Sequence, residues 1–139
     1  REEYNSPWCN LTKSSGASDK SGSHGGSFGI GKFAPYACSS LRTVFYSTSD
    51  KDGLCASQGV SRLTSFKSKK NEITQGTGFY GNDKNSPMYK QFSLDPAYSR
   101  SAENSGTDIF IAAFNGDKGW QHQMVASVLD GFLITERWW

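Results

Sequence analysis

The sequence predicts an α+β fold: a mixed, mostly antiparallel sheet packed on helices. Three observations carry this. Short runs rich in β-branched and aromatic residues lie in the middle and later parts of the chain, at residues 42–48 and 108–114, and such residues fit a pleated, half-buried surface. The first run ends in turn chemistry, Asp50-Lys51-Asp52-Gly53, which joins antiparallel neighbours. Helical spacing of apolar residues is confined to a segment after a glycine-rich run and to one near the end. Strands in a block with flanking helices make an α+β layer, in contrast to alternating βαβ units.

In chain order, residues 1–11 read as a short helix or turn. Residues 13–24 are dominated by Ser and Gly, a composition costly to order and expected to be mobile without a ligand. A helix is expected over 29–39, where Ile30, Phe33, Ala34 and Ala37 share one face. Pro35 is tolerated there only in the first turn, so the helix starts near Gly31 or Lys32. Cys38 packs at its end as a small hydrophobe. After the strand over 42–48 and its turn, a second strand falls within 54–66. Residues 67–71 make a polar connection, and a third strand over 73–80 is weakened by Gly76 and Gly78. Residues 82–86 and 95–105 are loops by composition, with a short strand over 89–94 between them. The run 108–114 is apolar on both faces, which predicts a central strand. Asn115-Gly116-Asp117 then caps a helix over 118–133 whose stripe of Met124, Val125, Val128, Leu129 and Phe132 is expected in the core.

Length and composition bound the rest. At 139 residues the chain makes one domain with a core. Its formal net charge of +2 gives no strong pull toward nucleic acid. Lys67, Lys69 and Lys70 beside Arg62 leave a weak nucleic-acid reading open, against an ordinary solvated hairpin tip. No apolar run approaches the ~18 residues of a membrane span. The three cysteines, Cys9, Cys38 and Cys55, are widely spaced without a C-x-x-C pair. That argues against a disulfide scaffold or a zinc set and for a reducing, cytoplasmic compartment. Arg1 at the start and Trp138-Trp139 at the end lead us to expect a piece excised from a larger protein.

The most informative stretch is Gly25-Gly26-Ser27-Phe28-Gly29-Ile30-Gly31-Lys32-Phe33-Ala34-Pro35-Tyr36-Ala37, with four glycines in its first seven residues. Glycine lets backbone N–H groups turn toward a ligand without an intervening Cβ. A glycine turn that opens a helix presents unpaired N–H groups to an anion. A P-loop, G-x-x-x-x-G-K-[ST], is matched by Gly26, Gly31 and Lys32, but Phe33 stands where a magnesium-binding hydroxyl belongs, and no strand precedes the loop.

A different family fits better. Lys13-Ser14-Ser15-Gly16, then Gly26-Ser27-Phe28-Gly29-Ile30-Gly31 and a helix, then Gly106-Thr107 opening an apolar strand, resembles the second half of the Bergerat ATP-binding domain of the GHKL group. That group comprises gyrase B subunits, ninety-kilodalton heat-shock chaperones, histidine kinases and MutL-type repair proteins. Lys32 after the last glycine is similar to the MORC branch. The resemblance implies a lid over 13–24 and a Bergerat-type α/β sandwich. It implies a nucleotide site in which Ser27, Phe28, Gly29, Ile30 and Gly31 cradle the β- and γ-phosphates, Lys32 neutralises charge and Thr107 contacts adenine. ATP and Mg2+ are the implied cofactors.

The family's E-x-x-x-N helix and D-x-G-x-G turn are absent. Glu2, Glu3, Asn5 and Asn10 lack that spacing, and Pro7 interrupts a helix there. The chain therefore resembles the C-terminal half of the domain, with the magnesium ligand and general base in the other half. The parent is expected to be a slow ATPase that couples lid closure to a conformational change or to dimerisation. The chain alone is expected to be inactive and to self-associate or to need the rest of the parent. Two alternatives remain: a degenerate Bergerat domain, and a non-catalytic interaction module presenting Tyr36, Phe45, Tyr46, Phe79, Tyr80 and Tyr89 on a sheet.

Overall fold

The computed structural model of the chain describes residues 6–13, 30–92 and 94–133. The expected lid lies outside them except for Lys13. The first helix, α1, is Pro7–Thr12. Ser6 starts it by accepting a hydrogen bond from the Cys9 N–H at 3.2 Å, the standard service of an N-cap serine, and Pro7 occupies the first turn, where its missing N–H costs nothing. A 3-10 turn, Ile30–Phe33, runs into a single helical turn, α2, Ala34–Ala37. Four strands follow: β1 Thr43–Ser49, β2 Cys55–Arg62, β3 Thr77–Tyr80 and β4 Gly106–Ile111. The last helix, α3, is Trp120–Leu133.

The strands form one antiparallel sheet in the order β3-β2-β1-β4. Turn chemistry sets the β1–β2 register. The Asp50 carboxylate accepts the N–H groups of Asp52 and Leu54 at 2.9 and 2.8 Å, and Gly53 takes a left-handed φ of 77°, which glycine adopts without a Cβ clash. Val44 then lies opposite Val60, and Tyr46 opposite Gln58.

Strand alternation divides the sheet into two faces. On one, Val44, Tyr46 and Val60 are buried with Tyr36 of α2, and Trp8, Leu11, Phe33 and Phe79 pack around them. The buried Gln58 on this face donates to the Asn85 carbonyl at 2.7 Å. On the other, Tyr80, Gly59, Phe45 and Phe110 make a row across all four strands. Phe92 stacks on Phe45 with centroids 4.8 Å apart and meets the Phe110 ring edge-on, as does Tyr98. The segment carrying Phe92 and Tyr98 is strapped down by polar contacts. The Arg100 guanidinium donates two 2.6 Å bonds to Asp108. Gln91 and the Arg100 backbone exchange hydrogen bonds at 2.6 and 2.8 Å, and the Phe92 N–H donates to Ser47 Oγ at 3.0 Å.

The α+β, mostly antiparallel architecture is as the sequence predicts, and several details differ. The strand 108–114 is not central: β4 lies at an edge, because β1 takes β2 on one side and β4 on the other. Its expected two-sided burial is half realised, since Phe110 is covered by Phe92 and Tyr98 while Ile109 stays 47% exposed. The α3 stripe is not core either: Met124, Val125, Val128 and Leu129 are 50–58% exposed, because no described element packs over them. The helix over 29–39 breaks into a 3-10 turn and α2, and its buried residue is Tyr36, with Ala34 and Ala37 exposed. Among the described residues of 89–94 no strand forms; Met88 makes one isolated bridge to Ser57. The six aromatics do not share a face, since Tyr36, Tyr46 and Phe79 join the helix-side core while Phe45 and Tyr80 lie on the opposite side.

Gly59 is the tightest point of the second face. A Cβ there would come within 2.7 Å of the Phe45 ring and 3.0 Å of Tyr80 Cβ. Gly59→Val must push Phe45 off the sheet and break its stack with Phe92. We expect a loss of about 1–3 kcal/mol, the usual cost of overpacking, read as a lower urea midpoint with an unchanged slope.

Candidate functional site

The glycine run ends at a corner of the sheet. Ser27, Phe28 and Gly29 lie outside the described residues; Ile30, Gly31 and Lys32 form the 3-10 turn leading into α2. Gly31 is exposed, and a Cβ built on it meets nothing within 4 Å among the described residues. The Lys32 ammonium donates to the Asn10 carbonyl at 2.8 Å. Asn10 and Lys32 stand on either side of the Ser- and Gly-rich segment, so this bond fastens its two stems together.

Phe33 and Tyr36 turn inward against the core. Arg62, the last residue of β2, reaches the same place. Its guanidinium carbon is 4.8 Å from the Phe33 centroid and 5.3 Å from that of Tyr36, within cation–π range. Lys32 Nζ lies 5.8 Å from the Phe33 centroid. Arg42 joins them: its carbonyl accepts the Arg62 N–H at 2.9 Å, and its side chain donates to the Tyr36 carbonyl at 3.4 Å. Three cations and two aromatic rings thus share one corner. Partial burial, and then the Arg62 charge, hold the Lys32 ammonium below the usual lysine range.

Thr107 is far from this corner. It lies opposite Thr48, with the two hydroxyls 2.9 Å apart, whereas Arg62 lies beside Arg42 at the other end of β1. Six residues of β1 separate the two places, roughly 20 Å at ~3.3 Å per residue. Thr107 is exposed on the helix-side face, with Ile109 next on that face. Gly106 has a packing role of its own, since a Cβ there would meet the Arg100 guanidinium at 2.6 Å. A cavity of about 890 Å³ opens beside Thr48, lined by Trp8, Leu54, Ala56 and Tyr89.

Lys32 and Gly31 were readable from motif spacing; Arg42 and Arg62 were not singled out for this corner. Their proximity comes from hairpin register, so the Asp50–Gly53 turn was the available signal. Arg62 does not join the lysine cluster as the sequence reading placed it. Lys67, Lys69 and Lys70 sit on an exposed turn closed by the Lys67–Ile73 bridge, while the Arg62 side chain turns to Phe33. Among the described residues no group of three His, Cys, Asp or Glu is placed to hold a metal ion, and no helix is long and apolar enough to cross a membrane. No family model matches the chain, and neither a curated protein nor a solved structure matches it.

Under this corner the Tyr46 hydroxyl donates to the Tyr36 hydroxyl at 3.1 Å. Burial, then the Tyr36 hydrogen bond, push the Tyr46 hydroxyl far above the usual tyrosine range, with Arg62 opposing. In the unfolded chain Tyr46 ionises near pH 10.0. Above that pH the folded state holds the proton and the unfolded state does not, so stability present below about pH 10 falls as pH rises. Tyr46→Phe is expected to cost about 1 kcal/mol at neutral pH, the worth of one hydrogen bond. It should also flatten the alkaline decline in urea midpoint relative to wild type.

Proposed function

We propose that this chain is the phosphate-gripping, C-terminal part of a GHKL-type ATP-binding domain whose parent is a slow, nucleotide-switched ATPase. The observation that carries the reading is the arrangement of the glycine turn. It ends in a short helix at a cationic corner of an antiparallel sheet. Thr107 stands on the same sheet face about 20 Å away, beyond the buried Val44, Tyr46 and Val60, so the turn carries the phosphate part of the reading and Thr107 only the adenine role that the resemblance implies. The resemblance assigns Ser27 and the backbone N–H groups of Phe28, Gly29, Ile30 and Gly31 to the β- and γ-phosphates, and of these the described 3-10 turn contains Ile30 and Gly31. Lys32 supplies positive charge, and Thr107 a hydroxyl for the base.

The donor set fits phosphate and does not fit magnesium, so the metal ligand and the general base are assigned to the absent half of the domain. When bound there, Mg2+ would neutralise phosphate charge. This chain's residues orient the phosphates and, through the segment over 13–24, link occupancy to a conformational change. A cytoplasmic location accords with three unpaired cysteines.

The edge of β4, which no other described strand pairs, also accords with a half domain. An edge strand presents unpaired N–H and C=O groups. Beside it Ile109, Ile111, Phe114, Trp120 and Met124 line an apolar groove of about 550 Å³. The rest of the ATP-binding domain would pair with β4 and cover the α3 stripe. That exposed stripe is also what favours the second reading, a non-catalytic interaction module, with a degenerate Bergerat domain between the two.

Two measurements decide. In amide NMR titrations with sodium tripolyphosphate, Gly31 and Lys32 should shift, and Gly31→Val should lose the response while keeping its β1 and β2 resonances. An unaltered response in Gly31→Val would remove the phosphate role. In calorimetry with ATP and Mg2+, the chain alone should bind more weakly than micromolar and turn nothing over. A charge-assisted hydrogen bond is worth about 1.5–3 kcal/mol, against the ~8 kcal/mol of micromolar affinity. Its mass in solution should exceed that of a monomer at high concentration. Micromolar binding with turnover by a monomer would overturn the half-domain assignment.

A further inference from the structure

We propose that the ribbon joining β2 to β3, residues 63–76, is a contact surface for single-stranded nucleic acid, on which Phe66 stacks against a base while Lys67, Lys69 and Lys70 meet the phosphates. This surface is separate from the glycine turn and does not depend on the phosphate reading above.

The ribbon is held by its own bonds. Just past the end of β2, the Leu63 N–H donates to the Gly76 carbonyl at 2.6 Å. The two chains run close here, since a Cβ at Gly76 would come within 2.6 Å of the Leu63 carbonyl oxygen. Further out, the Phe66 N–H donates to Thr74 Oγ1 at 3.0 Å and the Thr74 N–H to the Phe66 carbonyl at 2.9 Å. The Lys67–Ile73 bridge follows, and the Ser68 N–H donates to the Glu72 carbonyl at 2.8 Å. Asn71 closes the tip at a φ of 68°, a left-handed conformation in which asparagine is enriched.

Successive residues face opposite ways, so Phe66, Ser68 and Thr74 share one side of the ribbon, and Lys67 and Ile73 the other. Phe66 is 65% exposed, and Lys67, Lys69 and Lys70 are exposed around it. None of the three lysines makes an ion pair among the described residues, where Arg100 pairs with Asp108. Residues 63–76 set these three cations against one acid, Glu72, so the complementary partner is anionic. Exposed lysines alone are ordinary surface; an aromatic ring exposed among them is not. The Ser68 hydroxyl accepts the N–H groups of Lys70 and Glu72 at 3.2 and 3.3 Å. The Thr74 hydroxyl accepts the Phe66 N–H and donates to the Phe66 carbonyl at 2.9 Å. Both hydroxyls on the Phe66 side are therefore spent within the ribbon, and the ring is what remains for a partner. A ring suits an unpaired base, since every base has a π-face. A duplex groove is read instead by free donors and acceptors. A lipid surface fits less well again, because it takes up apolar groups and residues 68–72 at the tip include none.

The test follows the fluorescence anisotropy of a labelled oligothymidylate at several salt concentrations. The same-length duplex, heparin and phosphatidylserine vesicles are the comparison ligands. Wild type should bind the single strand more tightly than the duplex and leave the vesicles alone. Lys69→Gln with Lys70→Gln should weaken binding and lower the salt slope by about 1.4, at ~0.7 for each charge on a single strand. Phe66→Leu should weaken single-strand binding about tenfold, the loss of one stacked base, with salt slope and heparin affinity unchanged. Phe66→Trp should restore wild-type affinity. The charge-matched control, Lys51→Gln with Lys90→Gln, lies outside the ribbon and should match wild type, since screening confines each charge to about 10 Å. Every substituted side chain is exposed, so the variants should fold, which dispersed amide resonances check. Phe66→Leu binding like wild type overturns the proposal, as does a control that loses as much as the ribbon variant. Tighter binding to duplex or vesicles, or no binding of the single strand by wild type, also overturns it, and none of these outcomes touches the phosphate reading.

Discussion

The Phe45 ring lies over the backbone of Gly59, and the second layer of the molecule is built on that contact. With no side chain at Gly59, Phe45 lies low enough for Phe92 to stack flat against it. Gln91, directly before Phe92, bonds the Arg100 backbone, and Arg100 in turn is held by Asp108 of β4. β1 thereby serves two cores, with Val44 and Tyr46 toward the helices and Phe45 away from them. Among the described residues the helix-side core is built on Tyr36, Val44, Tyr46 and Val60, and the aromatic layer covers the other face of the same strands.

The cationic corner runs against the usual preference of proteins for mixed charge. Arg62 and Lys32 lie over the Phe33 ring, Arg62 also over Tyr36, and Arg42 stands next to Arg62. Such an arrangement costs stability unless something else selects it. Clustered positive charge raises the local potential, and the proposed phosphate role draws on it together with the end of the glycine run. One comes from residues close in sequence, the other from residues brought together by the hairpin.

Local chemistry made much of this readable in advance. The Asp50–Gly53 turn, the strand through Val44 and Tyr46, and the place of Pro35 in a first helical turn all follow from residues within a few positions of one another. What escaped was set at long range. β4 reads as central because Ile109, Phe110 and Ile111 are all apolar, yet apolarity does not tell a strand buried by its own chain from an edge awaiting a neighbour. The same ambiguity affects α3, whose spacing correctly gave a helix while its partner could not be read from spacing. The Gln91–Arg100–Asp108 strap links polar residues with no periodic signature. At the site, Gly31 and Lys32 are legible from their spacing. Arg62 is visible only when β1 and β2 are placed in register, which brings the ends of the hairpin together.

The bond between Lys32 and Asn10 has a consequence for how this region can change over evolutionary time. It joins positions 22 apart, so the ends of the intervening segment are fixed in space whatever lies between them. The entropy of closing such a ring rises only with the logarithm of its length, about 0.6 kcal/mol for each doubling. Ring-closure entropy by itself therefore sets only a weak limit on how many residues stand between the two stems, and selection on that number acts through other terms.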